Sequence, residues 1–182
     1  MPSNFTPKYN LVDPLSPIMN TRVPLFDFTD PPVDPVELAK DMINHMKHYN
    51  GIGLSANQLG LPYRCFAMAG EINICFNPEI TAYEGEDLMD EGCLSYPGLY
   101  FKVKRPANIR VRFDDPYGNR IVKKFGGMTA RVFQHEYDHM EGSNYTELVS
   151  SFVLQRAKTR QEKLLKKIRR DLKRAKKQVR QA

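Results

Sequence analysis

Residues 134–142 of the chain read QHEYDHMEG, and this stretch decides how the rest of the sequence is interpreted. His135 and His139 are four residues apart, so on an α-helix they lie one turn apart on one face and can bind one metal ion together. Glu136 is then placed to reach a water molecule on that metal. The H-E-x-x-H pattern therefore predicts a helix that carries a site for metal-assisted hydrolysis.

The third metal ligand separates the classes of enzyme that use this motif. In the metzincin pattern H-E-x-x-H-x-x-G-x-x-H, the third histidine would fall at position 145, which is a tyrosine here, and no histidine follows His139. This argues against a metzincin protease. Glu147 lies close in sequence for a ligand of this kind, but its spacing does not exclude it.

Cys93 is the other candidate for the third ligand. It lies among small and polar residues in the stretch EGCLSYPG, residues 91–98. A thiolate at neutral pH needs an electropositive partner, and a divalent metal is the strongest one. A buried structural cysteine and a nucleophile are the alternatives that this residue alone leaves open. With His135 and His139, Cys93 would leave a fourth coordination position for water, as in catalytic zinc sites.

Length and composition indicate a single compact domain. The chain has 182 residues, of which 41% are hydrophobic, so it can bury a core. No apolar run approaches the ~20 residues that a membrane span needs, and the N-terminal residues have the character of neither a secretory signal nor a transit peptide. Three cysteines without a pairing pattern are typical of a reducing compartment. We therefore expect a cytoplasmic protein.

The net charge of +6 is unevenly distributed along the chain. Residues 155–182 hold 13 lysines and arginines and two acidic residues, a local net charge of +11, which leaves −5 for residues 1–154. Aromatic residues, glycine and proline also become rare after residue 150. We therefore expect a catalytic domain over residues 1–150 and a basic helical extension over residues 151–182.

Apolar residues at spacings of three and four predict that the basic segment 155–182 is an amphipathic helix. They are Leu164, Leu165, Ile168, Leu172, Ala175 and Val179. Such a helix can bind RNA phosphates, lie on an acidic membrane surface, or remain a solvated extension.

The first 51 residues predict an extended arm followed by a helix. The arm, residues 4–32, is rich in proline and aspartate. Asp34 is placed to cap the following helix, Pro35 suits its first position, and Glu37 completes a capping box. Asn50-Gly51 supplies the end of this helix.

Two histidines and two cysteines outside the motifs are not expected to act in the site. His45 and His48 of the first helix are interpreted as ordinary surface or helix-end histidines. Cys65 and Cys75 lie among apolar residues and are expected to be small buried side chains.

The remaining pattern predicts an antiparallel sheet. The expected strands are residues 63–69, 72–76, 79–83, 108–114 and 120–125, and the turn residues DPYGN join the last two into a hairpin. Asn77-Pro78 is expected to interrupt a strand, and the acidic residues 84–90 to form a loop. The predicted fold class is α+β, with antiparallel β-strands packed around a central helix that carries the H-E-x-x-H motif. An N-terminal helix and a basic C-terminal helix complete it.

Three segments, taken in order, resemble one enzyme family. They are GIGLSANQ at residues 51–58, EGCLS at residues 91–95 and QHEYDHMEG at residues 134–142. Together they resemble the peptide deformylases, metal-dependent hydrolases that remove the formyl group from N-formylmethionine of nascent polypeptides and release formate. The resemblance extends over residues 11–150.

The resemblance implies a metal site made of Cys93, His135 and His139. It implies one divalent metal per chain, with Fe(II) as the physiological ion in much of the family and Zn(II), Ni(II) or Co(II) able to take its place. Glu136 would take a proton from the attacking water and deliver it to the leaving amine.

The resemblance also implies roles for the two other segments. The side chain of Gln58 and the backbone N–H of Leu94 would stabilise the oxyanion of the tetrahedral intermediate. Gly53 and Ile52 would shape the substrate cleft by backbone contact.

The methionine-side pocket is expected to use Ile52, Met128 and Val132 together with His135. Met128 and Val132 are equally well interpreted as core residues. Within the first segment, Ser55 and Asn57 replace the alanine and the proline or threonine that are usual in the family, and Arg131 adds a long side chain near the pocket.

Two alternatives to a deformylase remain open. A zinc metallopeptidase would use the same Glu136 on internal amides. A nonenzymatic ribosome- or RNA-binding protein with a degenerate metal site would need neither Glu136 nor Gln58, and both are present. Some deformylases bind the ribosome through a basic C-terminal helix, so the resemblance favours ribosomal RNA as the partner of residues 155–182.

Overall fold

The computed structural model describes residues 5–179, with side chains described as far as residue 174. Three α-helices and seven β-strands form within these residues. The helices are α1 (Pro35–His48), α2 (Gly127–Met140) and α3 (Ser151–Val179). The strands are β1 (Gly53–Ser55), β2 (Cys65–Met68), β3 (Ile74–Glu84), β4 (Asp87–Cys93), β5 (Tyr96–Arg105), β6 (Asn108–Asp114) and β7 (Arg120–Gly126).

The strands form two antiparallel sheets. Five of them pair in the order β1-β2-β3-β6-β7, and β4 and β5 form a separate two-stranded hairpin. The predicted hairpin of β6 and β7 is present, with Arg110 opposite Lys124. The expected α+β class is therefore confirmed.

Strand β2 is buried on both faces because a helix covers each side of the sheet. Cys65 and Ala67 belong to the core that α1 covers, and Phe66 and Met68 belong to the core that α2 covers. Phe66 meets Phe133 of α2 edge to face, with ring centroids 5.1 Å apart. Alternate side chains of one strand thus fill both cores, and the expected burial of Cys65 and Cys75 is confirmed.

Helix α2 lies between the five-stranded sheet and the β4–β5 hairpin. Its apolar side chains pack on the sheet. Its polar side chains form hydrogen bonds with the hairpin and with the residue that follows β5. Arg131 donates to the carbonyl oxygen of Val103 over 2.8 Å, and Gln134 donates to that of Pro106 over 3.0 Å. The motif helix is therefore the central element of the fold.

The end of α2 is held against the N-terminal arm. Gly142 has a φ of +76°, and a Cβ there would meet the backbone of Thr21 at 2.7 Å. Only glycine combines this conformation with so close an approach of two backbones. The arm follows the extended path that was expected, with one 3-10 turn at Pro17–Asn20.

The start of α1 agrees with the prediction in part. Asp34 accepts hydrogen bonds from the backbone nitrogens of Val36 at 2.8 Å and Glu37 at 3.1 Å. The carboxylate of Glu37 instead pairs with Lys40 at 2.6 Å, so the predicted reciprocal capping box is wrong.

The interpretation of His45 as an ordinary surface or helix-end residue is also wrong. This side chain is fully buried, and its Nε2 accepts a hydrogen bond from the backbone nitrogen of Tyr9 at 3.0 Å. Its Nδ1 donates to the carbonyl oxygen of Asp41 at 2.7 Å. His45 therefore fastens the arm to α1, whereas His48 is exposed as expected.

Two predicted irregular segments belong to strands. Asn77 and Pro78 lie inside β3, where Asn77 takes a φ of +46° and the pairing with β6 shifts its register. The acidic segment expected to be a loop contains the start of β4, which pairs with the unpredicted strand β5. Its exposed carboxylates are neutralised across the hairpin, for example Asp90 by Lys102 at 3.2 Å.

Helix α3 begins at Ser151 and packs its first turns on β5. Leu154 and Ala157 contact the small core of the hairpin, and Gln161 Nε2 donates to the carbonyl oxygen of Pro97 over 2.5 Å. From residue 162 to residue 174 every side chain is exposed. Within residues 5–179, no helix is both long and apolar enough to cross a membrane.

Candidate metal centre and active site

The central helix and the β4–β5 hairpin bring Cys93, His135 and His139 together. One ligand atom from each of these three residues lies within 4.8 Å of the others. Cys93 Sγ is 3.3 Å from His139 Nε2, and the two imidazole rings are nearly perpendicular with centroids 5.2 Å apart. One thiolate and two imidazoles at this separation fit a transition-metal or zinc ion.

A buried carboxylate fixes the orientation of His135. Glu91 Oε2 lies 3.0 Å from His135 Nδ1, which leaves Nε2 of the ring directed to the cluster. Glu91 is in turn held by Arg105 through two bonds of 2.6 and 3.0 Å and by Arg131 at 2.7 Å. An outer hydrogen bond of this kind is what sets the tautomer and angle of a metal-binding histidine.

The same contacts determine the charges in the cluster. Burial opposes ionisation of Glu91, but hydrogen bonds from His135 and Arg105 outweigh it and lower the pKa of Glu91 to about 2. Burial also disfavours the charged form of His135, yet the bonds to Cys93 and Glu91 raise its pKa to about 10. The pKa of His139 is lowered, first by burial and then by the positive charge of His135. A metal that binds His135 must therefore displace a proton.

Glu136 of α2 lies next to His135, and its side chain points to β1. Its side chain is buried, and Oε2 is 2.5 Å from the hydroxyl of Ser55. A Cβ at Gly53 would collide with Oε1, so the glycine makes room for the carboxylate. Burial raises the pKa of Glu136.

Gln58 presents its amide nitrogen to the same space. Its Oε1 accepts a hydrogen bond from the backbone nitrogen of Ser55 at 2.9 Å, which determines which end of the amide is which. Nε2 is therefore directed to Cys93 Sγ at 3.4 Å and Ser95 Oγ at 3.0 Å. The amide nitrogen of Gln58 thus lies beside Cys93, and its role in stabilising an oxyanion stays a prediction.

A cleft of about 440 Å³ opens onto these groups. Of the predicted site residues it is lined by Ile52, Gly53, Gln58, Cys93, Leu94, Met128, Val132, His135 and Glu136, whereas His139 is wholly buried below it. Leu94 lies in the turn between β4 and β5. Ile52 and Met128 are more than half exposed at the cleft, and Val132 is buried at 7%.

The two residues after the motif that were considered as third metal ligands, Tyr145 and Glu147, do not belong to the cluster. Tyr145, at the position where a metzincin has its third histidine, stacks on Phe101 with centroids 4.7 Å apart and donates to the carbonyl oxygen of Leu99. Glu147 is exposed and accepts from Asn144. Among residues 5–179, only Cys93, His135 and His139 form such a group of three.

Several residues that support the site were missed from the sequence. Glu91, Arg105 and Ser95 were given no role, and the expectation that Arg131 alters the pocket did not include its bond to Glu91. No local signal was available, because residues 84–90 were expected to form a loop, and the strand pairing is irregular between Glu91 and Cys93.

A model of the family described as polypeptide deformylase matches residues 15–154. The chain belongs to this family.

Individual relatives agree with the family match. The chain is similar to a peptide deformylase of Rhodopirellula baltica, 45% identical over 112 residues, which are 58% of this chain and 56% of that protein. A peptide deformylase of Cytophaga hutchinsonii is 38% identical over 130 residues, 65% of this chain and 71% of that protein. The chain thus spans little more than half the length of the first relative.

Solved structures show the same fold. The peptide deformylase of Thermotoga maritima superposes with a TM-score of 0.73 at 30% identity, over 78% of this chain and 97% of that one. The enzyme of Synechococcus elongatus, solved in complex with actinonin, gives a TM-score of 0.80 at 26% identity, over 86% of this chain and 89% of that one.

Proposed function

We propose that this deformylase-family chain is a metal-dependent hydrolase that removes the N-formyl group from formylmethionine of nascent polypeptides and releases formate. The observation that carries the proposal is the convergence of Cys93, His135 and His139 on one point beside Glu136. Because the proposed substrate is a nascent polypeptide, the protein would act in the compartment where translation takes place. We predict that this compartment is the cytosol.

Cys93, His135 and His139 would hold one divalent metal. When bound, such a metal acidifies a water molecule and polarises a carbonyl group. Fe(II) is proposed as the ion in vivo, with Zn(II), Ni(II) or Co(II) as substitutes. The mixed set of one thiolate and two imidazoles suits each of these ions.

Glu136 is proposed to move the proton of the reaction. Its buried carboxylate would take a proton from the attacking water and pass it to the departing amino group. Burial raises the pKa of this carboxylate, which makes it a better proton acceptor than an exposed glutamate. The cleft wall at Gly53 gives this carboxylate room to lie beside the reacting carbon.

Gln58 and Leu94 are proposed to stabilise the negative oxygen that develops during attack. Gln58 is fixed through Ser55 so that its amide nitrogen lies in the cleft beside Cys93. A donor held in place before the reaction needs no reorganisation when charge develops. The backbone N–H of Leu94, in the hairpin turn beside Cys93, would be the second donor.

The methionine side chain is proposed to lie against Ile52, Met128 and Val132. Two of these apolar side chains are exposed at the cleft although each would gain by burial. Binding a thioether side chain there removes that surface from water.

A panel of peptides tests this proposal. Anaerobically purified protein, loaded with one metal, is incubated with formyl-Met-Ala-Ser, acetyl-Met-Ala-Ser and an internal-amide substrate, and formate and free amines are measured. We expect formate from the first peptide alone. Cleavage of internal amides would instead indicate a metallopeptidase, and failure to turn over any substrate would favour the nonenzymatic alternative.

The domain division at residue 150 and the role of the tail are also proposals. Helix α3 projects exposed lysines and arginines from residue 162 onward, and polyanions attract such a surface. We propose ribosomal RNA as its partner. The proposal is tested by cosedimentation with ribosomes at rising salt, for the full chain and for a chain that ends at Glu162.

The truncated chain should lose its salt-sensitive binding. Replacement of the exposed Lys123 and Lys124 of β7 by glutamine is the matched control, because it removes cations elsewhere on the surface. Equal cosedimentation of the truncated and full chains would reject the ribosomal role. Binding to anionic vesicles but not ribosomes would assign the helix to a membrane surface instead.

A further inference from the structure

Ser55 places a buried hydroxyl against the carboxylate that performs the proton transfer in the proposed function. Its side chain has no exposure to solvent. Ser55 Oγ lies 2.5 Å from Glu136 Oε2 and 3.2 Å from the backbone oxygen of Glu136. The hydroxyl therefore contacts Glu136 at two oxygens, and its oxygen also accepts from the backbone nitrogen of Gln58 in the capping box of the following 3-10 turn.

The single proton of the hydroxyl can serve only one of these two acceptors fully. A carboxylate is the stronger acceptor, and the shorter distance points to it. The backbone oxygen of Glu136 already has its intrahelical donor within α2. Ser55 therefore donates to Oε2.

The two carboxylate oxygens of Glu136 have different surroundings as a result. Gly53, two residues before Ser55 in β1, presents no side chain to Oε1. Gly53 also lines the cleft. Oε2 is thus occupied by a hydroxyl, while Oε1 lies against Gly53, a residue of the cleft lining.

Ser55 is itself held firmly. Its backbone nitrogen donates to Gln58 Oε1 at 2.9 Å, and its strand partner in β2 is Phe66, a fully buried residue. One residue thus orients the amide of Gln58 through its backbone and the carboxylate of Glu136 through its side chain.

We propose that Ser55 is a positioning residue for deformylation, which holds Glu136 by Oε2 so that Oε1 exchanges the proton with water and the leaving amine. This inference rests on the proposed function. It concerns the orientation of the carboxylate, so it predicts an effect on turnover and none on substrate binding or metal content.

The test compares Ser55→Ala with the wild type in the full, metal-loaded chain. We expect kcat for a formyl-Met peptide to fall about tenfold, the size expected when a charge-assisted hydrogen bond is removed, with KM and metal stoichiometry unchanged. Cys65→Ala is the matched control, because it also removes one buried heavy atom beside β1 and does not touch Glu136. Its kcat should equal that of the wild type.

A second variant separates positioning from a general loss of packing. In a Glu136→Gln background, Ser55→Ala should reduce the residual rate no further, because its effect acts through the carboxylate. Three results would overturn the proposal. The double variant could be slower than Glu136→Gln by the full factor that Ser55→Ala causes alone, or Ser55→Ala alone could raise KM without changing kcat. The third result is an unchanged kcat in Ser55→Ala.

Crystal structures of the wild type and Ser55→Ala provide a readout that does not depend on turnover. The wild type should hold Glu136 in one orientation with Oε2 at Ser55, and the variant should show it rotated or in two orientations. If the wild type releases no formate, the proposed function fails, and these structures alone decide whether Ser55 orients Glu136. An identical carboxylate orientation in both proteins would reject the role of Ser55.

Discussion

At the scale of single residues, the site depends on a carboxylate that is absent from the helix motif. Glu91 is buried and contacts Arg105, Arg131 and the metal-side histidine His135. Removing one partner of such a buried network leaves the other charges unpaired, which is far more costly than losing a surface ion pair. Glu91 thus links the stability of the fold to the geometry of the cluster.

Glu91 predicts how the stability of the metal-free protein depends on pH. Its pKa is lowered from 4.5 to about 2 in the folded state, so its contribution is complete above pH 4.5 and is lost as pH falls toward 2. The loss should amount to about 3 kcal/mol of unfolding free energy. Urea unfolding at a series of pH values measures it, and Glu91→Gln should show a flatter acid limb. An equally steep limb in that variant would contradict this account.

His135 predicts proton release on metal binding. Because its pKa is raised to about 10 in the metal-free protein, it carries a proton at neutral pH that a metal must displace. Metal affinity should therefore weaken about tenfold for each displaced proton when pH falls by one unit. Calorimetric titration of Zn(II) in buffers of different ionisation enthalpy counts the protons. A buffer-independent binding enthalpy would show that the histidine is already neutral.

Single residues also show how far the sequence determines the site. Cys93, His135 and His139 could be chosen because their side-chain chemistry is distinctive and their spacing or surroundings are unusual. The burial of His45 could not be foreseen, because it depends on the backbone nitrogen of Tyr9, which the arm brings from 36 residues away.

At the scale of elements, helices and strands differed in how well they could be predicted. Helix α1 and the β6–β7 hairpin carry their own periodicity, cap and turn residues, so local sequence specifies them. The β4–β5 hairpin was missed because its acidic residues resemble a loop until lysines across the strand neutralise them. Pairing between strands is information that a single stretch of sequence does not contain.

Helix α3 predicts different results for two truncations. A chain ending at Glu162 keeps Leu154, Ala157 and Gln161 on β5, so its melting temperature and formate release should match those of the full chain. A chain ending at Ser150 exposes the core around Leu99 and should melt several degrees lower, by about 2–4 °C for each kcal/mol lost in a domain of this size. Thermal unfolding of both chains checks this, and equal melting temperatures would contradict a packed helix base.

At the scale of the whole molecule, the site is assembled from three segments that the fold brings together. The segment at residues 51–58 lies in and after an edge strand of the sheet, Cys93 ends a separate hairpin, and both histidines lie on the helix between them. The segments could be recognised in order from sequence, and the α+β class followed from the element pattern. The distances between their side-chain atoms, 2.5 to 3.4 Å, could not be predicted from sequence. These distances result from the packing of α2 between the two sheets.

The most direct test of the central claim is formate release from a formyl-Met peptide by wild-type protein and Glu136→Gln, each loaded with the same metal. The substitution keeps the shape of the side chain and removes its capacity to take a proton. We expect metal stoichiometry to be unchanged and kcat to fall by about 10²–10⁴. A Glu136→Gln protein that retains the wild-type rate would show that this carboxylate does not perform the proton transfer, and would contradict the account.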